Sequence, residues 1–140
     1  MSLLIAFDSF KGACSARAAG QAFALGVRAE RAVAIDLCPV ADGGEGTAAA
    51  LYPLRDRRRA SAGPGTVWLD TETLLIESAA AIGLEVMRHQ PVGERSSSSL
   101  GQWLARLVET HAPQTVIVAL GGSGTIDGGH GFLAALGVQT

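Results

Sequence analysis

The sequence predicts an α/β fold in which a mostly parallel sheet has helices on both faces. Apolar runs rich in β-branched residues alternate with helical patterns in the order β-α-β-α, a hairpin, then α-β-α. Turns rich in glycine and polar side chains follow three of the predicted strands, at Asp8, Asp42 and Gly121. Because ligands bind at the carboxyl ends of strands in open α/β sheets, we expect these turns to converge on one site.

The first part of the chain predicts a strand, a helix and a second strand. Residues 2–7 are expected to form a buried strand that ends at the polar turn 8–12. Ser15 is a typical N-cap for a helix over residues 16–29. Residues 32–37 then predict the second strand. The inward stripe of the helix is expected to consist of Ala19, Ala22, Phe23, Gly26 and Val27.

The turn that follows the second strand carries two carboxylates. Asp42 and Glu45 lie three residues apart, with a pair of glycines between them. Such carboxylates are either local hydrogen-bond acceptors or ligands of a hard cation. The Asp-Gly-Gly triplet recurs at Asp127, again after a predicted strand. This recurrence favours a functional role for both turns.

The middle of the chain predicts a surface connection and a hairpin. Residues 52–65 are rich in Pro, Arg, Ser and Gly, and a sub-boundary is possible near 55–65. The runs 66–69 and 73–76 have strand composition and are separated by three polar residues, which predicts the hairpin. Glu77 follows the second run. It is either a third acid of the site or a solvated carboxylate at the start of a helix.

The last part of the chain predicts a helix, a strand and a glycine-rich loop. A serine run at 96–99 precedes an amphipathic helix that ends near His111. Residues 115–120 predict a strand buried on both faces. The loop 121–129 then opens a short helix, which Gly137 is expected to end. The apolar stripe of the long helix is Leu100, Trp103, Leu104, Leu107 and Val108.

The loop 121–129 contains five glycines, two hydroxyls and Asp127. A glycine-rich turn between a strand and a helix lets backbone N–H groups face an anion. The loop lacks the Lys of a P-loop and the GxGxxG pattern of dinucleotide-binding folds. A phosphate site and a tight strand-to-helix corner both remain open. A functional role is favoured for Lys11, because it is the single lysine in a chain whose other ten basic residues are Arg.

Size and composition exclude several classes of protein. The chain has 140 residues, of which 48% are hydrophobic and 17% charged, so residues 1–140 are expected to form one globular unit. The order of elements predicts that this unit is α/β, of the Rossmann or flavodoxin-like type. The net charge of −2 gives no electrostatic footprint for nucleic acid. No apolar run is long enough to span a bilayer and no signal-peptide pattern opens the chain, so we expect a cytoplasmic protein without membrane contact. Cys14 and Cys38 lack metal-site spacing and are expected to be reduced.

Four motifs resemble the successive signatures of the bacterial glycerate kinases of the glycerate 2-kinase type. They are DSFKG at 8–12, PVADGGEGT at 39–47, IESAAA at 76–81 and GGSGTIDGG at 121–129. The resemblance implies phosphorylation of D-glycerate to 2-phosphoglycerate, with ATP and Mg²⁺, in glyoxylate and glycerate metabolism. Members of that family are much longer than this chain. The chain therefore resembles the amino-terminal portion of such a kinase, and its fold is expected to be incomplete relative to the two-domain family fold.

Phosphoryl transfer requires positioning, a metal ion and positive groups near the transferred phosphoryl oxygens. On this basis the expected catalytic residues are Lys11, Asp42 and Asp127, and either acid can accept the proton of the substrate hydroxyl. The expected substrate- and phosphate-binding residues are Ser9, Gly43, Gly44, Gly121, Gly122, Ser123, Gly124 and Thr125. The expected Mg²⁺ ligands are Asp8, Asp42, Glu45 and Glu77.

Two alternatives to a complete kinase follow from the same motifs. The chain is either a truncated, non-catalytic remnant or one half of a split kinase, and it then binds a small anionic ligand or a partner chain. An unfinished sheet would leave an exposed edge, which favours a homo-oligomer or a complementary chain. A complete site predicts 2-phosphoglycerate from ATP and glycerate, whereas a remnant predicts none.

Overall fold

The computed structural model describes residues 1–51, 58–59, 67–69 and 72–139. The hairpin turn at 70–71 and, apart from 58–59, the possible sub-boundary near 55–65 lie outside the described residues. No described helix is both long enough and apolar enough to cross a membrane. In chain order the elements are β1 (Ser2–Ile5), α1 (Ala16–Glu30), β2 (Ala34–Leu37), α2 (Thr47–Leu51), β3 (Arg58–Arg59), β4 (Val67–Leu69), β5 (Thr73–Glu77), α3 (Ser78–Ile82), α4 (Leu84–Met87), a 3-10 turn (Val92–Glu94), α5 (Ser98–His111), β6 (Thr115–Ala119) and α6 (His130–Ala135).

The described strands form two sheets. In the first, β1 and β2 pair in parallel, from Ser2 opposite Ala34 to Ile5 opposite Leu37. The second has the order β3-β4-β5-β6 and joins β5 to β6 in parallel. Its β3, β4 and β5 pair antiparallel, which confirms the predicted hairpin and adds the short β3 in the expected surface connection. The α/β class with parallel strands is therefore confirmed, but the strands are divided between two sheets instead of one.

Helices cover both faces of the four-stranded sheet. Because neighbouring side chains of a strand point to opposite faces, Leu74 and Ile76 of β5 pack with α5, whereas Leu75 packs with Ala48 of α2. Trp103 of α5 is completely buried in the larger of the two clusters. The predicted stripe of α5 is confirmed at its buried residues Leu100, Trp103, Leu104 and Leu107, while Val108 is exposed.

The prediction that residues 115–120 are buried on both faces is wrong. In β6 only Ala119 is buried, and Val116 and Ile117 are 36% and 38% exposed. β6 lies at the edge of its sheet, and β5 is the strand it pairs with among the described residues. β1 likewise has Ile5 as its one buried residue. An apolar strand is buried only where neighbouring elements cover it, and composition does not encode that cover.

The inward face of α1 differs from the predicted stripe. Gly20 and Ala24 are the buried residues of the helix, whereas Phe23 is 51% exposed and Ala22 and Gly26 are also exposed. A Cβ on Gly20 would lie 3.5 Å from Leu37 and 3.7 Å from Ile5, so α1 approaches the first sheet through its smallest residue. The inward face of α1 that the sequence pattern predicts is therefore displaced by about one residue from the face that is buried in the structure. The predicted N-cap is confirmed, because Ser15 accepts a hydrogen bond from the Ala18 N–H at 3.3 Å.

Two glycine-rich turns join the parts of the fold that carry the two sheets. The Gly121 N–H, just after β6, donates to the Gly43 carbonyl, after β2, over 2.8 Å. A Cβ on Gly121 would collide with the backbone of Gly44, so only glycine permits this approach. The contact fixes the relative position of two turns that are far apart in the sequence.

We predict opposite effects on stability for two Gly→Ala substitutions. Gly121→Ala should lower the free energy of unfolding by about 1–3 kcal/mol, because the new methyl group meets backbone atoms that cannot easily move. Gly26→Ala, in α1 with open space around it, should raise it by about 0.5–1 kcal/mol by reducing backbone entropy in the unfolded chain. Urea denaturation followed by tryptophan fluorescence measures both. A Gly121→Ala variant as stable as the wild type would contradict the close contact.

Candidate functional site

A cleft of about 700 Å³ lies where the turns after the strands meet. Its lining residues come from three segments, 8–17, 39–50 and 79–85, together with Gly122, and the expected anion-binding residue Gly43 is not among them. The volume falls within the roughly 300–1,000 Å³ typical of small-molecule sites. Residues from the first three of the four sequence motifs, and Gly122 from the fourth, therefore face one space. A more open groove along α1, around Phe23 and Val27, is apolar and contains none of the predicted site residues.

Lys11 sits at the tip of a short hydrogen-bonded turn on the cleft wall. The Phe10 N–H donates to the Cys14 carbonyl at 2.9 Å, and the Cys14 N–H donates back to the Phe10 carbonyl at 3.0 Å. Gly12 has φ of +77°, a left-handed conformation that suits glycine. The turn therefore holds the base of the lysine side chain while its ammonium group remains exposed. Asp8 and Ser9 line the same wall.

Asp42 and Glu45 line the cleft from its second segment and belong to one compact turn. The Gly44 N–H donates to Asp42 Oδ1 at 2.8 Å, and the Thr47 hydroxyl donates to the Gly44 carbonyl at 2.7 Å. The first of these bonds orients the Asp42 carboxylate and uses one of its two oxygens. Asp42 thus combines a local structural role with acceptor capacity at the cleft.

Glu77 lies behind this turn and does not line the cleft. It is only 8% exposed, so the alternative of a solvated carboxylate at a helix start is wrong. Its Oε1 accepts a hydrogen bond from the Ala48 N–H at 2.8 Å. Burial raises the pKa of Glu77; hydrogen bonds from the Ala48 and Gly46 backbone oppose this rise, and the nearby Glu45 charge adds to it. The side chain anchors the acidic turn from within the core.

The loop after β6 contributes less to the cleft than its glycines predict. Gly122 lines the cleft, whereas Gly121, Ser123, Gly124 and Thr125 do not. The Gly121 and Gly124 N–H groups donate to the carbonyls of Gly43 and Ile82, at 2.8 Å and 2.6 Å. These two N–H groups are therefore already engaged within the fold. Of residues 121–125, which were expected to bind an anion, Gly122 is the one that lines the cleft.

Asp127 lies outside the cleft and connects α5 to α6. Its Oδ2 accepts from the Ser97 N–H at 2.7 Å, the Ser97 hydroxyl at 2.9 Å and the Gly131 N–H at 3.3 Å. The same Ser97 oxygen accepts from the Phe132 N–H at 2.8 Å. Burial tends to raise the pKa of Asp127, but hydrogen bonds from Ser97, Gly129 and Gly131 outweigh it and lower the pKa to about 2. The hydrogen bonds of Asp127 to Ser97 and Gly131 hold the starts of α5 and α6 together, and we call them the Asp127 clamp.

The structure adds two charged residues that the motifs did not indicate. Arg17, in the first turn of α1, and Glu85, in α4, both line the cleft. Arg17 lies two residues after the N-cap Ser15, so the predicted helix start already placed it beside the turn of Lys11. No sequence pattern placed Glu85 at the cleft, because its position depends on how α4 packs in the folded chain.

Carboxylates are the groups in the cleft that suit a divalent metal ion. Within the described part of the chain, no group of three or more His, Cys, Asp or Glu side chains is arranged to hold one. Mg²⁺, however, is commonly held by one or two carboxylates together with substrate phosphates and water. Asp8, Asp42 and Glu45 line the cleft and fit this smaller requirement, whereas the anchored Glu77 does not.

A model of the glycerate kinase family matches residues 3–140. The chain belongs to the glycerate kinase family. This membership confirms the resemblance that the four motifs indicated.

Several glycerate kinases are similar in sequence to nearly the whole of this chain. The glycerate 2-kinase of Escherichia coli (strain K12) is 35% identical, over 99% of this chain and 40% of the relative. The glycerate kinase of Bacillus subtilis (strain 168) is 34% identical, over 98% of this chain and 39% of the relative. A crystal structure assigned as glycerate kinase 2 of Salmonella typhimurium LT2 superposes with a TM-score of 0.69 at 32% identity, over 98% of this chain and 41% of that one. The chain thus spans about 40% of the length of the glycerate kinases it matches.

The clamp at Asp127 predicts a pH-dependent loss of stability. Asp127→Asn should lower the free energy of unfolding at neutral pH by about 1–2 kcal/mol, allowing for solvent screening at this partly exposed site. Because the folded-state pKa is depressed, this contribution is present above the ordinary value of 3.8 and disappears as the pH falls towards about 2. Urea denaturation between about pH 2 and pH 7 measures it. Asp36→Asn, at an exposed position of β2, is the matched control, and equal losses in both variants would contradict the clamp.

Glu77 predicts the opposite dependence on pH. Glu77→Gln keeps an oxygen for the Ala48 N–H but carries no charge. Because the folded-state pKa is raised, the carboxyl stabilises the fold below its ordinary value of 4.5 and this advantage is lost as the pH rises through the raised value. The free energy of unfolding of Glu77→Gln, relative to that of the wild type, should therefore increase as the pH rises. Urea denaturation at several pH values measures this difference.

A second variant separates charge from hydrogen bonding at this position. Glu77→Ala leaves the Ala48 N–H without its acceptor, which should cost about 1–3 kcal/mol across the pH range. Asp127 titrates in the wild type and in both variants, so its effect cancels. A difference between the wild type and Glu77→Gln that does not change with pH would show that Glu77 does not titrate as a buried carboxyl.

Proposed function

We propose that the chain carries the reaction centre for ATP-dependent phosphorylation of D-glycerate to 2-phosphoglycerate. The observation that carries this proposal is the convergence of the turns at Lys11, Asp42 and Gly122 on one cleft of about 700 Å³. Membership of the glycerate kinase family and the names of its relatives support the substrate and the reaction. Reaction in the cytoplasm is a further part of the proposal.

Lys11 would neutralise the charge that develops on the transferred phosphoryl group. A compact ammonium group at the tip of a constrained turn suits this role, because catalysis of phosphoryl transfer is mainly positioning and electrostatic stabilisation. Asp42 would accept the proton of the substrate hydroxyl. Its carboxylate is oriented by the Gly44 N–H, and orientation is the first requirement of a general base.

Asp8 and Glu45 would hold Mg²⁺ at the cleft, where the ion neutralises negative charge on the nucleotide phosphates. Asp127 is also an expected base, but its hydrogen bonds to Ser97 and Gly131 and its place outside the cleft support a role in positioning α5 against α6. Ser9 lies on the same wall as Lys11 and offers a hydroxyl to the substrate.

A second candidate function is half of a composite kinase. The chain spans about 40% of the length of the glycerate kinases it matches, and a second chain could supply the rest of such a kinase. The exposed apolar side chains of Val116 and Ile117 on the edge strand β6 favour association with a complementary chain or with another copy. In this case the cleft binds glycerate or phosphate without turnover until the partner is added.

Substitution of Lys11 tests the proposed reaction. Purified chain with ATP, Mg²⁺ and D-glycerate should form 2-phosphoglycerate, detected by phosphorus NMR. Lys11→Ala should reduce kcat by about 100-fold or more, the usual effect of removing one electrostatic stabiliser, and Lys11→Arg should retain part of the activity. The urea midpoint should not change, because the side chain is exposed.

The outcomes separate the two candidates. Full activity of Lys11→Ala would remove Lys11 from the mechanism. If the wild type forms no product but still binds glycerate, the composite kinase is favoured over the complete reaction centre.

A further inference from the structure

The cleft contains a second cation, Arg17, whose position is not explained by the stability of the fold. Arg17 lines the same cleft as Lys11. Neither side chain has an ion-pair partner among the residues that the structure describes, where the recorded ion pair joins Arg88 to Glu85. Segment 8–17 supplies both of these cations and one acid, Asp8, to the cleft, so its part of the wall carries a net positive charge that suits an anionic ligand.

The placement of Arg17 within α1 is electrostatically unfavourable. The amino-terminal end of a helix carries partial positive charge, so acidic residues are favoured in the first turn and basic residues in the last. α1 has 15 residues, no acid in its first turn, Arg17 near its start and Arg28 in its last turn. Arg28 therefore complements the helix, whereas Arg17 opposes it. A residue that acts against local stability and faces a cleft is typical of a binding role.

The two cations also differ in what they recognise. The guanidinium group of Arg is a planar fork that binds both oxygens of a carboxylate, while the ammonium group of Lys acts as a point charge. We propose that Arg17 binds the carboxylate of the substrate and makes the cleft specific for a hydroxy acid over an uncharged polyol. The inference rests on the proposed function for the identity of the hydroxy acid, glycerate. Arg17 then orients the substrate, and Lys11 is left to the phosphoryl group.

Binding and stability change in opposite directions if this assignment is correct. D-glycerate and glycerol, which lacks the carboxylate, are titrated into the full chain and binding is followed by NMR. The wild type should bind glycerate more tightly than glycerol. Arg17→Ala should weaken glycerate binding by about tenfold or more and leave glycerol unaffected, since charge-assisted hydrogen bonds are lost. The same variant should have an unchanged or higher urea midpoint, because a cation leaves the first turn of α1.

Arg28→Ala is the matched control, because it removes the same side chain from the other end of the same helix, away from the cleft. It should leave glycerate binding unchanged and lower the urea midpoint slightly. Arg17→Lys retains the charge but not the fork, so its affinity for glycerate should lie between those of the wild type and Arg17→Ala. Equal effects of Arg17→Ala and Arg28→Ala on glycerate affinity would overturn the assignment, as would equal binding of glycerate and glycerol by the wild type.

Kinetics distinguishes failure of this inference from failure of the proposed function. Where the wild type forms 2-phosphoglycerate, Arg17→Ala should raise the KM for glycerate with a much smaller change in kcat. Turnover with an unchanged KM in Arg17→Ala would reject the inference and leave the proposed function standing. Glycerate binding that requires Arg17 in a chain without turnover would support the inference and reject the proposed function.

Discussion

The candidate site depends on one backbone contact, the hydrogen bond from the Gly121 N–H to the Gly43 carbonyl. It joins the turn after β2 to the turn after β6, and the two strands belong to different sheets. Because no side chain intervenes, the two turns are held at backbone distance, which restricts position 121 to glycine, while Gly43 suits its position through a left-handed φ of +95°. Glu77 supports the first turn from the core through the Ala48 N–H. The cleft wall at Asp42 is thus fixed from two directions before any ligand is present.

Two acids of the motifs, Asp42 and Asp127, have different surroundings although they share the same local sequence. Asp42 and Asp127 both begin an Asp-Gly-Gly triplet. Asp42 receives one hydrogen bond from its own turn and faces the cleft, whereas Asp127 receives several from α5 and α6 and is removed from it. The pKa of about 2 at Asp127 records how strongly those donors favour the charged form. Sequence identity of two turns therefore does not imply identity of function.

Much of the fold and part of the site could be predicted from the sequence. The periodicity of α5, the Ser15 cap and the hairpin pattern depend on local spacing, and the structure confirms them. The edge position of β6 and the face of α1 that packs inward depend on which elements lie nearby, and local spacing does not contain that information. The same limit applies to the site: the turns were recognised, but which side chains face the cleft is set by tertiary packing.

The cleft combines cations with carboxylates, and this combination limits what it can bind. The cations Lys11 and Arg17 come with Asp8 from the segment that follows β1, while Asp42 and Glu45 come from the segment that follows β2. A ligand with one anionic group would leave the acidic segment unmatched. A ligand that combines anionic groups with a divalent cation can satisfy both segments at once, because the ion neutralises the carboxylates and the phosphates together. The presence of both cations and carboxylates, more than the net charge of the cleft, thus favours phosphoryl transfer over the binding of a simple anion.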